Sequence, residues 1–112
     1  MTTSIKTLIQ GTVVSTTPTV YYTAPANVYA KITQMLFNNN TTASVSITVY
    51  LCAGAGTPSR ADIAIPSRTL VANEVWVPYP IIGAVLAPGG TIQIVANTAN
   101  AIIAKASGLE IS

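Results

Sequence analysis

The chain has 112 residues and a formal net charge of +2, from five Lys or Arg and three Asp or Glu. It has no histidine, which excludes Ser-His and Cys-His nucleophiles, and a single cysteine without histidine excludes a structural zinc site. Half of the residues are hydrophobic and 7% are charged, the reverse of a disordered chain. Length and composition predict a single domain over residues 1–112 with one core.

Apolar residues recur with a period of two along most of the chain, which predicts strands and no amphipathic helix. Glycines at 11 and 108 interrupt two of these runs and predict bulges. Short strands separated by turn signals are typical of sandwiches and barrels. The sequence therefore predicts an all-β fold, a single antiparallel β-sandwich or jelly-roll-like domain of about eight strands. The predicted strands are 5–14, 19–23, 31–37, 44–51, 63–70, 74–79, 91–96 and 101–111.

Two of these segments predict side-chain orientation. In the run 44–51, Val45, Ile47, Val49 and Leu51 alternate with polar residues and are expected to face the core. The Asn-rich segment 38–43 before it predicts a tight connection between two antiparallel strands. Further along, Pro66 lacks a backbone N–H, which predicts that the run 63–70 is an edge strand or contains a bulge.

A subunit interface is expected from aromatic and apolar residues that one core does not cover. The run 31–37 is apolar on both faces over part of its length, which predicts a central strand or one that another subunit covers. An uncovered apolar patch marks an interaction site. Tyr21 and Tyr22 are adjacent, so one of them is expected to point away from the core. Tyrosine is also enriched at interfaces. The residues expected at this interface are Tyr21, Met35, Phe37 and Tyr50.

The residues that could carry chemistry are few. A glycosidase would need two of the three carboxylates, Asp62, Glu74 and Glu110, to meet in a cleft. A Ser-Lys pair stays formally open, but no spacing selects one. Cys52 ends an apolar run and is expected to be a buried free thiol. We therefore expect no catalytic residues, no metal site and no cofactor.

The charge and hydropathy patterns also bear on partners. The five cations are scattered, whereas nucleic-acid binding normally needs a basic patch, so no nucleic-acid partner is expected. The first residues do not read as a signal peptide. The most apolar stretch, 81–87, is too short to cross a bilayer, and no membrane association is expected.

Five segments together resemble a group of small all-β bacteriophage virion proteins. In that group a Tyr-Thr-x-Pro-Ala-Asn lead-in precedes two paired strands, and a Ser-Gly-x-Glu-Ile ending closes the sandwich. The resemblance runs from about residue 22 to the end of the chain and implies a structural component of the head or the tail. The matching segments are 22–27, 30–39, 45–51, 86–92 and 106–111.

The expected function is therefore that of a non-enzymatic capsid decoration (cement) protein in the virion, assembled in the bacterial host cytoplasm. It would act as a homo-oligomer in contact with the major capsid protein or other virion proteins. A trimer would suit the local threefold positions of an icosahedral shell. A tail, collar or baseplate component is the alternative within the structural class. A glycan-binding receptor-recognition module is the alternative from another class.

Overall fold

The computed structural model describes residues 2–112, which form nine β-strands and two single 3₁₀ turns, at Arg60–Asp62 and Tyr79–Ile81. The described residues contain no α-helix. The predicted all-β class is confirmed. The strands are β1 (Thr3–Val13), β2 (Thr19–Thr23), β3 (Tyr29–Asn39), β4 (Val45–Cys52), β5 (Ile63–Leu70), β6 (Val75–Trp76), β7 (Val85–Leu86), β8 (Thr91–Ala96) and β9 (Ile102–Ile111).

The strands form two antiparallel sheets that pack face to face. The five-stranded sheet has the order β1-β9-β3-β6, with β7 also paired to β3, and the four-stranded sheet has the order β2-β8-β4-β5. If β6 and β7 are counted as one interrupted strand, the first strand pairs with the last, the second with the penultimate, and so on inward to β4 with β5. This nested order is that of a jelly roll, a double-sheet arrangement of eight strands.

The core lies between the two sheets and follows the predicted alternation in β4. Val45, Ile47 and Val49 are buried there, while Leu51 is half-buried and packs against the core. Cys52 is a free, buried cysteine, as predicted. It lies beyond the alternation, on the side of the sheet where Thr91 and Gln93 are also buried.

A β-bulge in β3 overturns part of the expected interface. The pairing of β3 with β9 slips between Ile32 and Gln34, so Thr33 is an extra residue. One extra residue exchanges the two faces of a strand. Ile32 before the bulge and Met35 and Phe37 after it therefore all face the core, where each is 0% exposed. The run is apolar on both apparent faces because the face changes within it, and Met35 and Phe37 cannot be subunit contacts in this fold.

The connection 38–43 is also not the predicted hairpin, because β3 and β4 belong to different sheets. The buried amide of Asn39 stabilises the crossing. Its Nδ2 donates to the carbonyls of Ala43 at 2.8 Å and Leu70 at 3.1 Å, and its Oδ1 accepts from the Thr41 backbone N–H at 3.1 Å. The Asn39 side chain therefore bonds to backbone groups where the chain crosses from one sheet to the other, and it does not form a tight turn.

Two predictions from proline and glycine are confirmed and one is wrong. Strand β5 is an edge strand, and its register with β4 slips around Pro66. The β1–β9 register slips between Ile9 and Thr12, where Gly11 lies. Gly108, however, is not itself the bulge; it pairs with Ile32, the residue before the extra Thr33 of β3. A Cβ at position 108 would overlap the Lys31 carbonyl oxygen.

Replacing Ile47 by Ala tests the face assignment of β4. The side chain is 1% exposed, so the variant should lose about 2–5 kcal/mol of unfolding free energy in urea titrations. Thr48→Ala, at the half-buried neighbour on the other face, is the control and should lose much less. A loss below about 0.5 kcal/mol for Ile47→Ala, as at surface positions, would contradict the assignment.

Replacing Gly108 by Ala tests the close approach of β3 to β9. The new methyl group would overlap the Lys31 carbonyl oxygen, and overpacking of this kind costs about 1–3 kcal/mol or more. Gly54→Ala is the matched control, because a Cβ there meets nothing within 4 Å. Equal urea midpoints for the two variants would show that the strands do not approach as closely as described.

Candidate functional site

The four residues expected at a subunit interface do not form one surface. Met35 and Phe37 are in the core, while Tyr21 and Tyr50 are half-buried in β2 and β4. Tyr21 is the extra residue of a second bulge, because the β2–β8 register slips between Val20 and Tyr22. Both adjacent tyrosines consequently pack against the core, and the expectation that one points away from it is wrong. The Ser15 backbone N–H donates to the Tyr21 hydroxyl at 2.8 Å.

Each of the three carboxylates has a hydrogen-bond partner within the fold. Asp62 Oδ2 accepts from the Ser59 backbone N–H at 2.9 Å. Glu74 Oε1 accepts from the Val71 N–H at 2.8 Å, and its other oxygen lies 3.8 Å from Arg68. Within residues 2–112, no group of three or more Cys, Asp or Glu side chains could hold a metal ion. The three carboxylates form structural contacts at separate places in the fold, two of them local and the third, at Glu110, between the sheets.

Glu110 joins the two sheets. The Tyr22 hydroxyl of β2 donates to Glu110 Oε2 of β9 at 2.6 Å. Burial, this hydrogen bond and the negative charge of Glu110 all raise the pKa of Tyr22 well above its usual range. The pair closes the side of the sandwich where β1 and β2 are the neighbouring edge strands.

An aromatic stack closes the opposite side. The Trp76 ring of β6 lies 6.3 Å from the Phe37 ring, centroid to centroid, at an interplanar angle of 23°. The Arg68 guanidinium of β5 lies 4.4 Å from the centroid of the Trp76 ring, a cation–π distance. Trp76 is therefore a packing residue, held between Phe37 and Arg68.

Cys52 is poorly suited to act as a nucleophile. Burial is the main reason why the pKa of its thiol is raised, and the charge of Asp62 acts in the same direction. A thiol reacts as the thiolate, and a raised pKa keeps it protonated. The geometry gives Cys52 a packing role.

A shallow groove lies on the outside of the four-stranded sheet. The loop 53–58 folds over this face, where Thr91 Oγ1 donates to the Gly54 carbonyl at 2.7 Å and Gln93 Nε2 donates to the Gly56 carbonyl at 2.9 Å. The groove has a volume of about 240 Å³ and no charged or aromatic lining residue. It is lined by Pro18, Val20, Ala55, Gly56, Thr57, Pro58 and Gln93.

The outward-facing side of the five-stranded sheet, called here the outer face, has exposed aliphatic side chains in several strands. One row across it contains Ile5, Leu109, Lys31 and Val85, which are paired in neighbouring strands. Ile5 is 88% and Val85 is 59% exposed, although both are aliphatic. A second apolar row, at the far end, contains Val13, Ile103, Asn38 and Val75.

The outer face has charges of one sign only. Lys31 and Lys105 are exposed on it. The three carboxylates lie elsewhere, in the β4–β5 connection, in the β5–β6 turn and at the Tyr22 contact. A partner that covers this face would match it with apolar side chains and acidic groups. Sequence analysis missed the outer face, although apolar residues on both sides of the run 101–111 were a signal for it.

Comparison of the chain with protein-family models, curated proteins and solved structures finds no match. Among the described residues, no helix is long and apolar enough to span a membrane.

Replacing Tyr22 by Phe tests the contact between the sheets. A raised pKa in the folded state means that the neutral hydroxyl stabilises the fold fully below the unfolded pKa of about 10, and that this contribution declines as the pH rises above it. In urea titrations, the unfolding free energy of the wild type should therefore fall as the pH rises beyond about 10. The unfolding free energy of the Tyr22→Phe variant should fall less steeply over the same pH range.

The control for that experiment is Tyr79→Phe, at a ring that is 83% exposed. Its unfolding free energy should fall with rising pH as steeply as that of the wild type. If Tyr22→Phe and Tyr79→Phe gave the same slope, the Tyr22–Glu110 contact would not couple folding to pH.

Proposed function

We propose that the protein is a non-enzymatic structural subunit of a bacteriophage virion, and that it decorates the capsid as a cement protein. The observation that carries the proposal is the outer face: apolar rows with two lysines and no carboxylate. Such a surface on a small domain fits a permanent interface, where charge is depleted and apolar area is buried. A cement protein needs a complementary shape and a large buried area but no catalytic groups. This suits a chain whose carboxylates and cysteine are engaged in structural contacts.

The fold and the segment resemblance support the same proposal. Jelly rolls occur in viral capsid domains, but they also occur in lectins, and a fold alone does not determine a function. The segments that resemble phage virion proteins favour the capsid reading. For a glycan-binding module, the groove on the four-stranded sheet offers no aromatic ring for stacking on a sugar and no charged group.

The proposed partner is the major capsid protein or another virion protein, docked on the outer face. Its contact surface would carry Asp or Glu opposite Lys31 and Lys105, with apolar residues opposite the row that includes Val85. The protein would also contact its own copies. A trimer at local threefold positions remains a proposal that rests on the symmetry of the shell.

Copy number separates the structural roles. Quantitative mass spectrometry of purified particles should find copies in proportion to the capsid subunits if the protein is cement. A copy number matching a single ring would favour the tail, collar or baseplate alternative. Absence from particles, together with a clear hit on a glycan array, would replace the proposal with the glycan-binding alternative.

Two substitutions test the docking surface on particles that lack the protein. Lys31→Glu and Val85→Asp change exposed positions of one row of the outer face, and each should weaken binding to such particles by about tenfold or more. Ala55→Asp, at an exposed loop position on the opposite side of the sandwich, is the matched control. If all three variants bound like the wild type, the outer face would not be the docking surface.

A further inference from the structure

The four sheet edges of the sandwich differ in how well they are protected against pairing with another strand. Strands β6 and β7 have two residues each, and β2 has five residues with a bulge at Tyr21. Strand β5 contains Pro66 and irregular register. Short strands, prolines and bulges are the devices that block edge pairing. Strand β1 is the exception in its first half: it has 11 residues and no proline, and both of its register shifts lie beyond Thr7.

The first half of β1 is a regular edge. Its pairing with β9 runs without a slip from Thr3 to Thr7, and the first register shift follows only after Thr7. Among the described residues, no strand pairs with the other side of β1. This segment also contains Ile5, which is 88% exposed. A regular edge segment, without bulge or proline and with an exposed aliphatic side chain, is a template for strand addition.

The direction of the free backbone groups follows from the pairing at the chain ends. Thr2 and Ser112 exchange both of their N–H···O bonds, each at 2.9 Å. Opposed residues of an antiparallel pair alternate between hydrogen-bonded and non-hydrogen-bonded pairs. Ser4 and Lys6 therefore bond to β9, while the N–H and C=O groups of Thr3, Ile5 and Thr7 point away from the sheet.

We propose that β1 pairs with β1 of a second copy of this chain, antiparallel, about a two-fold axis at Ile5. In this register Ile5 faces Ile5, and Thr3 faces Thr7 of the other copy. Each of these pairs exchanges both N–H···O bonds, since they are the residues with outward backbone groups. The two five-stranded sheets become one continuous sheet.

The chemistry of the segment favours a second copy as the occupant. The only charged residue in it, Lys6, faces the uncharged Ser4 of the other copy, so no like charges oppose each other. The exposed Ile5 side chains form a cross-strand apolar pair. A fibre would need β1 of one copy to pair with a different edge of the next copy. This is disfavoured because the other edges are short or irregular. A two-fold contact closes at two copies, and it does not rest on the proposed virion role.

The test uses opposite charges at the symmetry axis in the full chain. Sedimentation equilibrium should find the wild type as a dimer at tens of micromolar. Ile5→Lys and Ile5→Glu should each raise the dissociation constant about tenfold or more, because each variant places like charges opposite one another. An equimolar mixture of the two should recover the dimer, since lysine then faces glutamate.

Two controls keep the outcome specific. Circular dichroism of each Ile5 variant should match the wild type, because the replaced side chain is almost fully exposed. Val75→Lys, at an exposed valine of the opposite edge of the same sheet, should leave the dimer unchanged. A monomeric wild type, a dimer insensitive to both Ile5 variants, or a mixture that fails to recover the dimer would each overturn the proposal.

Discussion

The register of β3 against β9 is the constraint on which the rest of the sandwich depends. At Gly108 the backbone of β9 comes so close to the Lys31 carbonyl that no Cβ fits between them. Gly108 pairs with Ile32, and directly after this pair β3 accommodates Thr33 as an extra residue. Because the extra residue exchanges the faces of β3, Ile32, Met35 and Phe37 all enter one core, and Phe37 can then stack on Trp76.

The outward faces of the two sheets differ. The loop 53–58 folds over the four-stranded sheet and satisfies Thr91 and Gln93, which are buried there. The five-stranded sheet instead keeps aliphatic residues such as Ile5 and Val85 in the open, together with Lys31 and Lys105. Its β1 edge is open as well. The face proposed to dock a partner and the edge proposed to pair with a second copy therefore belong to the same sheet.

Local patterns in the sequence predicted the strands well and their arrangement less well. Alternation identified β4 and its core residues, and the bounds predicted for β2, β5 and β8 agree with the structure, because period-two patterns and turn residues act locally. The bulges at Tyr21 and Thr33 escaped prediction, since nothing in those residue types shows an extra residue in the ladder. The passage from β3 to β4 was misread because the contacts of Asn39 with Leu70 depend on the tertiary fold.

Residue-resolved hydrogen exchange of the free protein tests most directly whether the five-stranded sheet is the side that assembles. At concentrations where the protein associates, the amides of Thr3, Ile5 and Thr7 should become protected, and they should exchange fast on dilution. The amides of Ser4 and Lys6, which bond to β9, should stay protected throughout. Exchange at Thr3, Ile5 and Thr7 that does not change with concentration, with protection appearing instead on the four-stranded sheet, would contradict this account.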